Sequence, residues 1–282
     1  MEKTNKLTQM LSLLFVFALL TVGIVTAASS DPSNPTGIGV LSNTTNSYPN
    51  GTMLNGTRGY IYTLQLNESQ PTQKWVGYVG NIVGEYALQD ADGDALYDWD
   101  IATVTGEVYA TKEGAYVSTY DNLRRDAGGI PVWSNLSCAI ASMVTTEAQL
   151  FNHTSTQEDA YTNTFKTTGF TNPGFYAGEK QVTDTTMWSG GGNCYGVHLN
   201  QNNADEPDGG NWSEVVLTDG TFQAKSAAED TVYYYDIIYG ALIENSTAGY
   251  DGNDYDFQIL LPQSGLEGSQ SNVAFYFYVE LI

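Results

Sequence analysis

The sequence predicts a mainly β protein, an antiparallel β-sandwich of immunoglobulin-like or jelly-roll-like kind with one or two short helices. Three observations lead there. Apolar residues alternate with period two over long stretches, the residues that alternate are Tyr, Val, Ile and Phe, and one region alone shows a helical period.

The chain opens with a stretch that does not belong to the fold. Lys3 and Lys6 give a basic start, Leu11 to Val25 is almost wholly apolar, and Val25-Thr26-Ala27 closes it with small residues. Residues 1–27 therefore read as a secretory signal peptide. The apolar run is about 15 to 17 residues, short for a membrane span, and no later segment is long enough to be one. The product is expected to be secreted, extracellular or held at the cell surface, without a membrane span after cleavage.

Residues 28–57 are rich in Ser, Asn, Thr, Gly and Pro and lack core-forming periodicity, the composition of a flexible arm. One apolar patch interrupts it: Ile38, Val40 and Leu41. Such a segment is suited to adding a strand to the open sheet edge of a neighbour.

Residues 58–282 read as a single domain. Tyr60, Tyr62, Leu64 and Leu66 begin the alternation. Val76, Tyr78, Gly80, Ile82, Gly84, Tyr86 and Leu88 continue it, followed by Ala95, Tyr97, Trp99 and Ile101. Tyr233 to Ile243, Tyr255 to Leu261 and Val273 to Leu281 give three further apolar faces. Half-buried strands are expected at each. Ile140, Met143, Val144 and Phe151 recur near 3.6 residues, and Ser155 with Glu158 has the spacing of a capping box for a short helix reaching Phe165.

Charge narrows the function. With the leader go Glu2, Lys3 and Lys6, so 10 basic and 32 acidic residues become 8 and 31, and the net charge moves from −22 to −23. Nucleic acid and anionic lipid need a cationic face and are excluded as partners. Self-association must rely on short-range contacts, cations or salt.

Cys138 and Cys194 are the two cysteines, expected to form one disulfide in an exported chain. Asn-x-Ser/Thr acceptors occur at Asn43, Asn50, Asn55, Asn67, Asn135, Asn152, Asn211 and Asn245, the pattern of a surface glycoprotein carrying N-linked glycans.

The segment Asp90-Ala-Asp92-Gly-Asp94-Ala-Leu-Tyr-Asp98-Trp-Asp100 invites three readings. Asp90, Asp92 and Asp94 match the first ligand spacings of a calcium loop, so calcium is the one cofactor the sequence suggests. The pattern then fails, with Ala95 where glycine and Ile101 where glutamate belong. Asp92-Gly93 is hairpin chemistry, and an acidic β-turn is the plainer reading. A pair of catalytic carboxylates is the third. Asp251 to Asp256 poses the same choice. No nucleophile, zinc or phosphate motif is present, and His153 and His198 sit in no ligand spacing, so no catalytic residue is assigned and no enzyme is expected.

Several short motifs recur in order: Trp75-Val-Gly-Tyr-Val-Gly-Asn81, Leu96-Tyr-Asp-Trp99, Gly106-Glu-Val-Tyr-Ala110, Trp133 to Cys138, Gly249-Tyr-Asp-Gly252, Asp256-Phe-Gln258, Leu261-Pro262 and Tyr276 to Leu281. Across residues 74–282 this order resembles exported archaeal β-rich cell-surface proteins of unassigned biochemical role. The resemblance implies an archaeal cell-surface protein and supplies no site residues. Two functions are expected. One is a structural subunit of an extracellular filament, sheath or surface layer, a homo-polymer joined through its arm. The other is a secreted module that binds or hydrolyses polysaccharide through exposed aromatic rings.

Overall fold

The structure, a computed structural model, describes residues 31–43, 58, 72, 74–112 apart from 91, 93 and 102, 130–199 apart from 154 and 155, 212–263 apart from 228 and 229, and 275–282. The signal peptide, the strand expected at Tyr60 to Leu66 and the acceptors Asn50, Asn55, Asn67 and Asn211 lie outside the described residues.

In chain order the strands are β1 (Trp75–Gly80), β2 (Glu85–Gln89), β3 (Ala95–Asp100), β4 (Gly106–Thr111), β5 (Ser137–Cys138), β6 (Phe175–Ala177), β7 (Lys180–Val182), β8 (Gly196–Leu199), β9 (Trp212–Thr218), β10 (Phe222–Ala227), β11 (Asp230–Tyr235), β12 (Ile238–Leu242), β13 (Thr247–Ala248), β14 (Asp254–Tyr255), β15 (Phe257–Pro262) and β16 (Tyr276–Leu281). The helices are α1 (Ala141–Leu150) and α2 (Tyr161–Thr164). The protein is mainly β, and its named strands pair antiparallel.

A six-stranded sheet runs β16-β4-β12-β9, with β5 and β8 both on the far edge of β9. These two short strands share that edge end to end. Cys138 of β5 pairs Leu217 and Gly196 of β8 pairs Val215. They meet at Val216, whose N–H donates to the Tyr195 carbonyl and whose carbonyl accepts from the Ala139 N–H. The Cys138–Cys194 disulfide, with Cα atoms 5.2 Å apart, joins them at this seam.

Both faces of the sheet are covered. On one, Tyr109, Val215, Leu217, Ile238 and Tyr278 pack with Trp133, Phe170 and Phe175. On the other, Ala110, Val216, Tyr239 and Ala241 pack with α1, with Phe165, and with Ile259 and Leu261 of the β1–β15 pair. This explains β9, every residue of which is buried. Its Val215-Val216-Leu217 is the continuous apolar run of a strand covered on both sides, which period-two reading passes over.

The structure corrects the sequence reading in four places. The alternation from Val76 to Leu88 is two strands, because β1 leaves to pair β15 while β2 pairs β3. Tyr233 to Ile243 is broken at Asp236, whose N–H donates to the Thr221 carbonyl where β9 gives way to β10. α2 begins after Ala160 without a side-chain cap, later than the expected Ser155–Glu158 capping box, of which Ser155 lies outside the described residues. Tyr97 and Trp99 are exposed, where a half-buried strand was expected. α1 stands as expected and ends on a left-handed Asn152: His153 N–H donates to the Ala148 carbonyl and Asn152 N–H to the Gln149 carbonyl.

Candidate functional site

The surface feature that stands apart is the β2–β3 hairpin. Tyr86 is opposite Trp99 and Leu88 opposite Tyr97, so these four side chains share one face. All four are between 51 and 60 % exposed. Tyr97 and Trp99 contact edge to face, ring centroids 4.9 Å apart and planes at 65°. The opposite face carries Glu85 across from Asp100, beside Asp98. Among the described residues β2 and β3 pair only with each other.

The root of this hairpin is held firmly. Buried Asp256 accepts the Ile82 N–H at 2.7 Å and the Ser246 N–H at 2.9 Å, while its own N–H donates to the Gly80 carbonyl. Gly84 lies so close to Leu281 and Ile101 that a Cβ there would overlap the Leu281 side chain. Of the Asp251–Asp256 motif, Asp256 is thus a clamp. Asp251 caps its own turn by accepting from Asn253 and Tyr255, and the Asn253 N–H foremost holds its carboxyl below the usual range.

At the hairpin tip, Asp90 Oδ1 accepts the N–H groups of Asp92 and Asp94, and Asp90 N–H donates to the Asp94 carbonyl. The Asp90 carboxylate is therefore engaged with its own backbone as an Asx turn. No group of three or more His, Cys, Asp or Glu among the described residues is placed to hold a metal ion.

The second feature is the N-terminal arm. Ser33 pairs with Val279 on the outer edge of β16, N–H to carbonyl in both directions at 3.1 and 2.9 Å. Pro32 is buried, and a Cβ at Gly178 would fall on the Asp31 carboxylate. Beyond this root Ile38, Val40 and Leu41 are 71, 86 and 97 % exposed. The arm thus pairs with its own chain at its root and leaves its apolar patch uncovered.

The acceptors Asn43, Asn135, Asn152 and Asn245 are all exposed. Asn245 Oδ1 accepts the Val104 N–H. His153 is buried. Its Nε2 donates to the Gln263 carbonyl, which leaves Nδ1 bare, and burial foremost lowers its pKa. His198 meets Ser213 and stacks near Phe170.

Acidic groups that sequence reasoning missed lie inside. Glu107 of β4 faces Glu280 of β16, and burial, then Glu280, pushes the Glu107 pKa up to about 8. Glu280 Oε1 accepts the Gly178 N–H. Glu214 Oε2 accepts the Leu260 N–H and ties β9 to β15; burial raises its pKa well above the usual range. Tyr161 donates to Tyr239, which donates to Glu147 Oε1, while Lys112 pairs with Oε2 at 2.6 Å. A carboxyl with a raised pKa is the protonated form a general acid needs. Each of these carboxyls is at most 4 % exposed, and the bonds of Glu280, Glu214 and Glu147 hold strands and helix together. Glutamates at alternating strand positions were the available signal: Glu107 and Glu280 each sit in phase with buried aromatics, Tyr109 and Tyr278.

No helix among the described residues is long and apolar enough to cross a membrane. No protein-family model, curated protein or solved structure matches the chain.

Proposed function

We propose that the chain is a secreted, glycosylated structural protein of the cell surface, a subunit of an extracellular filament, sheath or surface layer that self-associates through its N-terminal arm. The observation that carries this is the arm: three aliphatic side chains stand in water on a segment whose root is pinned to the edge strand β16. Uncovered apolar groups of this kind mark contact surfaces. The disulfide fits an oxidising compartment. The exposed acceptors fit glycosylation, and the ordered motifs over residues 74–282 fit an archaeal cell surface. In this reading the two apolar layers around the six-stranded sheet are a β-sandwich that serves as scaffold, without a chemical step.

Electron microscopy and sedimentation of the secreted protein test it. Ordered polymers or defined oligomers, lost when residues 28–57 are deleted from a core that still folds, are expected. Assembly that persists without the arm overturns the arm's role.

A second reading, polysaccharide binding, draws on the exposed Tyr86, Tyr97 and Trp99. It predicts tight binding on a glycan array that Trp99→Ser abolishes.

A further inference from the structure

We propose that the β2–β3 hairpin receives the N-terminal arm of a second copy of the chain, the arm adding a third strand that sets Ile38 and Val40 beside Tyr86, Leu88, Tyr97 and Trp99. The inference rests on the self-association reading above and names the surface that reading uses.

Among the described residues the acceptor is incomplete. An isolated two-stranded hairpin is marginal in water, and a third strand with a shared apolar face is what makes such a sheet stable. Among the described residues this hairpin has the apolar face without a third strand. Its strand edges offer main-chain groups to an incoming extended segment.

The arm matches it in charge. The hairpin carries Glu85, Asp98 and Asp100 on one face and Asp90, Asp92 and Asp94 at its tip. A further acidic segment meets repulsion there. Residues 32–57 hold no charged side chain, the longest such stretch in a chain of net charge −22. The arm matches it in shape as well. Ile38 and Val40 are two residues apart and share one side of an extended chain. Gly37 and Gly39 between and before them meet nothing where a Cβ would stand.

The aromatic geometry favours aliphatic side chains over a sugar. A sugar ring stacks on an open ring face, and here the Tyr97 and Trp99 planes meet at 65°, the edge of one ring lying against the face of the other. Branched aliphatic groups fill such an angle.

The partner is a second copy because the chain's own arm leaves all seven side chains exposed. Ser33 roots the arm on Val279, and Gly84 roots the hairpin against Leu281, two positions along the same strand. Ile38 is five residues beyond Ser33, at most about 17 Å away. Donor and acceptor are thus rooted two positions apart on β16, where Ser33 runs antiparallel to the strand, and two copies meeting along that edge would satisfy both arms at once, an isologous pair.

The test uses full-length secreted protein in two tagged forms, Val40→Cys and Tyr86→Cys, mixed and treated with a short bis-maleimide. A mixed-tag product is expected. Ile38→Ser/Val40→Ser/Leu41→Ser and, separately, Tyr97→Ser/Trp99→Ser are each expected to weaken self-association at least tenfold in sedimentation, with the melting temperature of the core unchanged. Cross-linking found only within a chain carrying both cysteines overturns the proposal, as does unchanged association in Tyr97→Ser/Trp99→Ser. Glycan binding lost in Trp99→Ser, with association intact, assigns the face to sugar and overturns it too. Association that survives both sets of substitutions removes this acceptor and leaves self-association standing. A wild-type protein that stays monomeric at every salt concentration removes both.

Discussion

Glu107 and Glu280 stand directly opposite each other on neighbouring antiparallel strands, and both side chains are buried. Like charges so placed repel, and burial penalises each charge further. Glu107 answers by holding its proton up to a pH of about 8.

The sign of the pH dependence follows. An unfolded Glu titrates near 4.5 and the folded Glu107 near 8, so between those values folding must take up a proton. The contribution is fully present below about 4.5, declines across the window and is lost above 8. Glu107→Gln keeps the shape without the charge. It is expected to exceed wild-type stability by about 2–4 kcal/mol at pH 9 and to converge with it near pH 4.5. Urea denaturation at both pH values measures this, and an equal gap at the two would contradict it.

Gly106 opens β4 at a φ of +134°, and a Cβ there would strike the Glu280 backbone carbonyl. Gly106→Ala combines a strained backbone with a clash against main chain that β4 itself pairs. A loss of roughly 2–4 kcal/mol is expected. Thermal melting followed by circular dichroism decides, and a wild-type midpoint would count against the close approach.

Asp256→Ala leaves the N–H groups of Ile82 and Ser246 without their acceptor. Each lost partner costs about 1–3 kcal/mol. The hairpin is expected to loosen at its root, so limited proteolysis should cut first between residues 82 and 104. Cleavage sites elsewhere, with that interval still protected, would argue against the clamp.

Replacing Cys138 and Cys194 by serine is expected to cost about 3–5 kcal/mol, given a loop closed over 56 positions. Amide exchange should rise first at Val216, where β5 and β8 meet. Uniform loosening, with Val216 still protected, would show that the seam does not depend on the bridge.

What could be read in advance follows from what alternation encodes. Period two and residue type gave the β character, and α1 was visible because Met143, Val144 and Phe151 recur along one stripe that packs on the sheet. Alternation does not say which face meets a partner. Tyr97 and Trp99 alternate as well as Tyr239 and Ala241 do, yet the first pair lies in water and the second in the core. That difference arises from β1 pairing with β15, some 180 positions away, which draws the chain across the sheet and leaves β2–β3 beyond it. Long-range pairing also brings Glu107 against Glu280, and nothing local to either residue announces it. The arm patch was legible because three aliphatic residues in a polar stretch are conspicuous. Its root at Val279 was not, because a single bridge has no sequence signature.

The seam at Val216 has a mechanical consequence. The chain leaves β5, runs along one face through α1 and Phe165, turns the edge where Lys166 pairs with Gly196, and returns over the other face through Phe175 and Val182 before reaching β8. Cys138 and Cys194 close that circuit covalently. Tension applied through the termini passes from sulfur to sulfur, and the enclosed residues bear none of it. About 190 Å of contour is thereby withheld from extension. Pulled by its ends, the chain would stretch less than its length allows, and a reductant would release the slack.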